Sequence, residues 1–261
     1  MRIIVCIKQV PDTTDVKIDP KTGTMKREGV PAIINPDDKQ AIHTAVKLKG
    51  ENKITVITMG PPQAEDALRE ALALGADDAI LFTDRAFAGS DTWATANVLS
   101  ACLKKVGEYD LILCGRQAID GDTAQVGPQL AENLGIPQVT YVQKVEVNDG
   151  KVRAERETED GIEVVEVEMP ALITVMDISD ENTYPSLQGI SDAYNKKEVK
   201  VMTNEDIKVE KEKMGLLSSP TIVKKVFAPE AKGQGKMLEG SVQKIAGEVI
   251  GMLKEKEIIK D

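Results

Sequence analysis

Asp110-Leu111-Ile112-Leu113-Cys114-Gly115-Arg116-Gln117-Ala118-Ile119-Asp120-Gly121-Asp122-Thr123-Ala124-Gln125-Val126-Gly127-Pro128-Gln129-Leu130-Ala131-Glu132-Asn133-Leu134 is the stretch that decides the fold. Leu111 to Cys114 form a short apolar run, the pattern of a strand covered on both faces in a parallel sheet. Gly115 ends the run where the chain turns with no Cβ in the way, and a polar loop and a helical pattern follow. Open α/β sheets take ligands at the carboxyl ends of their strands, where free backbone N–H groups and a helix N-terminus face an anion. Gly115 to Gly127 is therefore the first place to look for function.

Outward from this stretch, apolar runs at Ile3 to Ile7, Ile54 to Thr58 and Ala79 to Phe82 alternate with helical patterns at Asp37 to Leu48, Ala64 to Leu74 and Thr92 to Val106. This alternation predicts an α/β fold, a parallel sheet with helices on both faces, completed by a strand at Ala171 to Val175. Before that strand, Val139 to Val147, Lys151 to Glu157 and Glu163 to Val167 alternate in polarity around Asn148-Asp149-Gly150 and Asp160-Gly161. Both are hairpin turn signals, so an antiparallel insertion is expected over about residues 139–168. From Ser179 onward the periodicity weakens, and residues 204–235 are rich in charged residues with Gly and Pro punctuation. Met237 to Lys256 then carries Leu238, Val242, Ile245, Val249 and Leu253 on one helical face. The expected division is an α/β domain over 1–203 and an arm with a terminal helix over 204–261. The arm either embraces a second subunit or is a linker whose helix returns to its own domain.

The 261 residues suffice for one large core, or for one domain plus an arm. The 43 acidic residues against 33 basic ones give a formal charge of −10, which argues against binding nucleic acid non-specifically or an anionic membrane surface. No apolar run approaches membrane-spanning length, and Arg2 to Val10 reads as a strand rather than a signal peptide. Cys6, Cys102 and Cys114 are odd in number, widely spaced and set in apolar contexts, which supports neither a disulfide framework nor a metal knuckle. A reduced, cytoplasmic protein with soluble partners is expected.

Hydrolytic or proton-shuttling chemistry finds little support. His43 is the sole histidine and lies in a helical pattern, so any Ser-His-Asp or Cys-His arrangement has to recruit it. No catalytic residue and no metal ligand set is assigned. Asp120 and Asp122 fit a paired acid and base, or ligands for a phosphate-bound magnesium; their place in a Gly-containing turn before a helix favours N-capping for Asp122. A bound nucleotide is expected to meet backbone amides, Thr123 and Gln125, with Arg116 supplying positive charge. Asn35-Pro36-Asp37-Asp38 before the first long helix and Met59-Gly60-Pro61-Pro62 after the second strand point to the same sheet edge. The chain has neither a G-x-G-x-x-G fingerprint nor a Walker A sequence, which disfavours a standard NAD dehydrogenase or a P-loop ATPase.

With these landmarks in hand, the sequence resembles the beta (small) subunits of electron-transfer flavoproteins over nearly its whole length. The likeness is carried by Val5-Cys6-Ile7-Lys8-Gln9-Val10-Pro11, by Asn35-Pro36-x-Asp38-x-x-Ala41, by Gly75-Ala76-Asp77, by Gly115 to Gly127, and by Glu159-Asp160-Gly161 with Glu163 and Pro170 before Leu172-Ile173-Thr174. The resemblance implies a Rossmann-like fold of the adenine nucleotide hydrolase type and a heterodimer with an alpha subunit. It places the nucleotide site on Cys6, Asn35, Pro36, Asp37, Asp38, Met59, Gly115, Arg116, Gln117, Ala118, Ile119, Asp120, Gly121, Asp122, Thr123, Ala124, Gln125 and Val126. It also implies a recognition loop over about residues 179–195, where Tyr184, Pro185, Ser186 and above all Leu187 meet a partner flavoenzyme such as an acyl-CoA or lactate dehydrogenase.

Within the family, some beta subunits hold structural AMP and an electron-bifurcating branch holds FAD in the same place. Met59 to Pro62, Asp84 to Thr92 and Gly115 to Pro128 resemble the bifurcating branch. That branch implies an electron carrier whose FAD accepts hydride from NADH and divides the electrons between ferredoxin or flavodoxin and the alpha-subunit FAD. The cofactor carries such chemistry, which fits a chain poor in acid and base residues. With aromatics at 3%, a flavin ring is expected to meet mostly backbone and aliphatic groups, with Arg85 and Phe87 as candidate neighbours of the ring or of NADH. A free-standing adenine-nucleotide module is the more distant alternative, since the same crevice serves many functions.

Overall fold

The apolar runs of the sequence form the middle of a nine-stranded sheet in the computed structural model, which describes residues 1–12, 31–176, 184–224, 235 and 237–259. In chain order the first half holds β1 (Arg2–Cys6), β2 (Gln9–Pro11), β3 (Ala32–Ile34), α1 (Pro36–Lys47), β4 (Lys53–Met59), α2 (Glu65–Leu74), β5 (Asp78–Phe82), α3 (Thr92–Val106) and β6 (Leu111–Gly115). The second half holds α4 (Val126–Leu134), β7 (Gln138–Asn148), β8 (Lys151–Thr158), β9 (Gly161–Glu168), β10 (Ala171–Val175), α5 (Leu187–Asn195), β11 (Val199–Met202), α6 (Asn204–Ile207) and α7 (Val242–Glu255).

The sheet order is β11-β5-β4-β1-β6-β10-β7-β8-β9, parallel from β11 to β7 and antiparallel across β7, β8 and β9. From β1 the chain moves outward to β4 and β5, then crosses back to place β6 on the other side of β1. This reversal between β1 and β6 is the topological switch point, where the loops diverge and leave a crevice at the strand ends. Both sheet faces are covered, which is why the central strands read as nearly continuous apolar runs rather than as alternating ones. Ile3, Val5, Ile54, Leu111 and Leu113 pack in one core with Ala41 and Ile42 of α1 and Leu68 and Leu72 of α2. Ile4, Cys6, Ile57, Ile112 and Cys114 pack in another with Val98 and Leu103 of α3 and Leu130 of α4.

The antiparallel insertion turns where the sequence signals it. Asp149 and Gly150 both take positive φ, 49° and 79°, and join Asn148 to its partner Lys151, the pattern of a type I′ turn. One face of this ribbon, Val145, Val147, Val152, Ala154, Val165 and Val167, continues the core. The other carries cross-strand ion pairs such as Lys144 with Glu155 and Lys151 with Glu166, each of small energetic weight in solvent. The ribbon is not detached from the sheet, because β7 begins as a parallel neighbour of β10.

The short edge strand β11 lies in the stretch where periodicity weakens; only Val199 and Met202 of its four residues are buried, too brief a pattern to read from sequence. Residues 204–224 are fixed by hydrogen bonds to the loop before α3. Asp84 accepts the Asn204 N–H at 3.1 Å, Ser90 accepts the Gly215 N–H at 3.0 Å, and Asp91 accepts the Thr221 N–H at 2.9 Å and its hydroxyl at 2.8 Å. The chain divides into units spanning residues 1–225 and 226–261. In the second unit, Ser241 caps α7, which carries Val242, Ile245, Val249 and Leu253 at helical spacing. Among the described residues, no helix is long and apolar enough to cross a membrane.

Candidate functional site

At the switch point, the carboxyl ends of β1 and β6 are tied together by the start of α1. Asn35 occupies the N-cap position of α1 but makes no capping hydrogen bond. Its fully buried amide reaches across to the loop after β6 instead, where Nδ2 donates to the Gln117 carbonyl at 2.8 Å and Oδ1 accepts the Ile119 N–H at 3.0 Å. Asp38, one turn further on, accepts the Lys8 N–H at 2.8 Å and the Gly115 N–H at 3.0 Å. A Cβ on Gly115 would lie 2.3 Å from Asp38 Oδ1 and 2.6 Å from the Asp38 nitrogen. Only glycine lets α1 approach β6 this closely.

The loop from Gly115 to Gly127 turns on itself at residues 118–122, where the Gly121 and Asp122 N–H groups donate to the Ala118 carbonyl at 3.2 and 2.8 Å, and then runs to α4. Asp122 and Ala124 both adopt φ of 52°, a left-handed backbone that non-glycine residues rarely take and that a surrounding structure must enforce. Among the described residues, the backbone N–H groups of Thr123, Ala124 and Gln125 have no protein acceptor, and neither do those of Val126 and Gly127 at the start of α4. Unpaired donors at a helix N-terminus form an anion-receptive surface. The side chains around it are pinned from outside: Thr92 Oγ1 donates to Gln125 Oε1 at 3.0 Å, and Lys8 Nζ meets Asp120 Oδ1 at 2.6 Å. Arg116 Nε lies 3.3 Å from Asp37 Oδ2, an ion pair without hydrogen-bond alignment, so both buried atoms remain unsatisfied. Such orphaned polar atoms leave hydrogen-bonding capacity for a ligand.

Two thiols lie at the tied strand ends. Cys6 and Cys114 stand in register on β1 and β6, and both are buried. Hydrogen bonding to the Cys6 thiol, with burial, raises the Cys114 thiol well above the ordinary range, so it stays protonated and is a poor nucleophile. Burial pushes the Asp38 carboxyl up to about 7, against the lowering effect of its Lys8 and Gly115 amide bonds. A carboxyl raised in the fold contributes stability in full below the unfolded value of 3.8, and loses it as pH rises through about 7. Asp38→Asn is therefore expected to flatten the pH dependence of unfolding between about pH 4 and 7. Urea midpoints of both proteins at pH 5 and 7.5 check this; parallel pH profiles would show that Asp38 does not titrate in that window.

The structure brings Cys6, Asn35, Pro36, Asp37, Asp38 and the run from Gly115 to Val126 to one edge, with Met59 at the carboxyl end of β4 next to β1. Several local roles differ from expectation. The N-cap of α4 is Gln125, and Asp122 accepts a hydrogen bond from the Gln117 side-chain amide instead of capping the helix. Pro128 sits in the first turn of α4, where a proline is tolerated. Phe87 is buried in the core beside α3 and offers no surface to a ring, while Arg85 is exposed. Lys8 is the contact that sequence reading did not single out; its place two residues beyond the end of β1 was the available signal.

Tyr184 and Leu187 are 77% and 88% exposed, and Ser186 accepts the Gly189 N–H at 2.9 Å to cap α5, whose first residue is Leu187. The rest of the expected recognition loop, residues 179–183, lies outside the described residues.

A parallel sheet with an anion-receptive loop at its switch point defines an α/β protein of the Rossmann-like class. The chain belongs to the electron transfer flavoprotein family, among its beta subunits: the family model described as "Electron transfer flavoprotein domain" matches residues 22–206. It is 53% identical over 261 residues to the electron transfer flavoprotein subunit beta of Thermoanaerobacterium thermosaccharolyticum, covering 99% of this chain and 100% of that one. It is 53% identical over 263 residues to the caffeyl-CoA reductase-Etf complex subunit CarD of Acetobacterium woodii, with the same coverage. It is 47% identical over 269 residues to the acryloyl-CoA reductase electron transfer subunit gamma of Anaerotignum propionicum, again covering 99% and 100% of the two chains.

Proposed function

We propose that the crevice between β1 and β6 binds FAD through its adenosine diphosphate end, and that the chain pairs with an alpha subunit as the NADH-oxidising half of an electron-bifurcating flavoprotein. The observation that carries this reading is the run from Thr123 to Gly127, which follows the carboxyl end of β6 and whose backbone amides have no protein acceptor among the described residues. These donors suit a diphosphate, Asn35 and Asp38 hold the loop in place, and the raised Cys114 thiol beside them is a poor nucleophile. Bound there, FAD supplies hydride acceptance from NADH and onward transfer of single electrons, which the side chains of the chain do not provide. The protein's part is retention and orientation.

Kinship with subunits named for caffeyl-CoA and acryloyl-CoA reductase systems supports a partner flavoenzyme of the acyl-CoA type, met through Tyr184, Pro185, Ser186 and Leu187. The low-potential acceptor is ferredoxin or flavodoxin, and the terminal helix α7 serves the alpha subunit. The heterodimer, assayed anaerobically with NADH, ferredoxin, the partner enzyme and its substrate, is expected to reduce ferredoxin only when that substrate is present. Ferredoxin left oxidised while NADH is consumed would remove bifurcation from this account.

Gly121→Val tests the placement of the diphosphate. A Cβ at residue 121 meets no protein atom within 4 Å and Gly121 is not among the positive-φ glycines, so the fold should accept the change. Reduced nucleotide retention after gel filtration, with an unchanged urea midpoint, is the expected result. Full retention would move the diphosphate away from this turn.

A further inference from the structure

We propose that Lys8 is a phosphate-binding residue of the crevice, its ammonium group held over the loop after β6 by Asp120. The proposal rests on the nucleotide reading above and adds to it the cation that the anion requires.

The charges at the site leave a deficit. Asp37, Asp120 and Asp122 stand at the loop or beside it together with Asp38, which is only partly ionised near neutral pH, and among the described residues the cations contacting them are Lys8 and Arg116. Backbone amides donate to a phosphate but do not neutralise it, and nearby carboxylates repel it. Three of the carboxylates are engaged elsewhere: Asp37 with Arg116, Asp38 with the Lys8 and Gly115 amides, and Asp122 with the Gln117 side chain. Asp120 is paired with Lys8.

Lys8 is suited to this role by the way it is held. Its backbone is fixed on both sides, since its N–H donates to Asp38 at 2.8 Å and its carbonyl accepts the Asn35 N–H at 2.9 Å. Its side chain then crosses to Asp120, which lies 112 residues away in sequence. The Lys8 side chain is 49% exposed whereas that of Asp120 is 11% exposed, so the ammonium sits on the solvent side of the pair. An ammonium carries three donors, and one hydrogen bond to Asp120 leaves two for phosphate oxygens. The Lys8 end of the pair is half-exposed, and the flexible four-carbon stem lets the charge adjust as an anion arrives.

The test is calorimetric titration of adenosine, AMP and ADP into the nucleotide-depleted full-length protein, as wild type, Lys8→Met and Lys8→Arg, at low and raised salt. Lys8→Met is expected to lose about tenfold in affinity for AMP and ADP, to flatten their salt dependence, and to bind adenosine as the wild type does. Lys8→Arg should recover most of the loss. Equal loss for adenosine and ADP would reduce Lys8 to a structural tether, and undiminished ADP affinity in Lys8→Met would remove it from the site; either overturns the proposal alone. A wild-type protein that binds none of the three ligands would overturn the nucleotide reading itself, and this proposal with it.

Discussion

Gly115→Ala is expected to cost at least about 2 kcal/mol of stability and to strip the protein of bound nucleotide. The added methyl would stand 2.3 Å from Asp38 Oδ1, and 2.6 Å from both the Asp37 carbonyl carbon and the Asp38 nitrogen. Two of these three neighbours are backbone atoms at the start of a helix, so no side-chain rotation relieves the clash. Relief requires α1 to withdraw from β6, which breaks the 3.0 Å bond from Gly115 to Asp38 and strains the 2.8 and 3.0 Å bonds from Asn35 to the loop. The Asp38 carboxyl, nearly wholly buried, then loses a donor in the place where an unmet polar group costs most. Urea unfolding measures the stability term and absorbance of the gel-filtered protein measures the flavin. A midpoint within error of the wild type would show that the strand end and the helix are not in contact at this point.

Leu187→Asp should have the opposite profile, unchanged stability and flavin content with a large loss of electron delivery to the partner flavoenzyme. Leu187 is 88% exposed at the first position of α5, so little packing is lost, and an acidic residue there is favourable for the helix N-terminus. The helix is anchored independently of Leu187, by the Ser186 cap and by Gly189, where a Cβ would come 2.4 Å from the Ala73 carbonyl oxygen. An apolar side chain on so firm a base can fill a partner's pocket without rearranging, and removing such an anchor typically costs about 2 kcal/mol or more, roughly thirtyfold in affinity. Steady-state transfer at a series of partner concentrations shows this as a raised half-saturation value. Unaltered transfer would take Leu187 out of the docking surface.

The sheet was legible because its central strands are buried on both faces and so read as unbroken apolar runs, as in Leu111 to Cys114. The hairpin was legible because Asn148-Asp149-Gly150 supplies the residues a type I′ turn demands. What sequence could not give was the partner of each polar side chain. Asn35 looks like a helix cap and is instead a stitch between strands β1 and β6; Asp122 looks like a cap and binds Gln117. Both outcomes are set by tertiary contacts between residues distant in the chain, to which local propensity is blind. Lys8 was missed for the same reason, since its significance comes from Asp120 across the crevice. Residues 204–224 were not legible as part of the domain because only scattered residues, Ile207, Val209 and Met214, pack on the core, while hydrogen bonds to Asp84, Ser90 and Asp91 hold the rest.

The occupant of the crevice is the central claim, and one count tests it most directly. Denaturing the purified heterodimer and separating the released nucleotides should yield two FAD and no AMP per dimer, one FAD from each subunit. One FAD together with one AMP would contradict the account and make this crevice a structural nucleotide site.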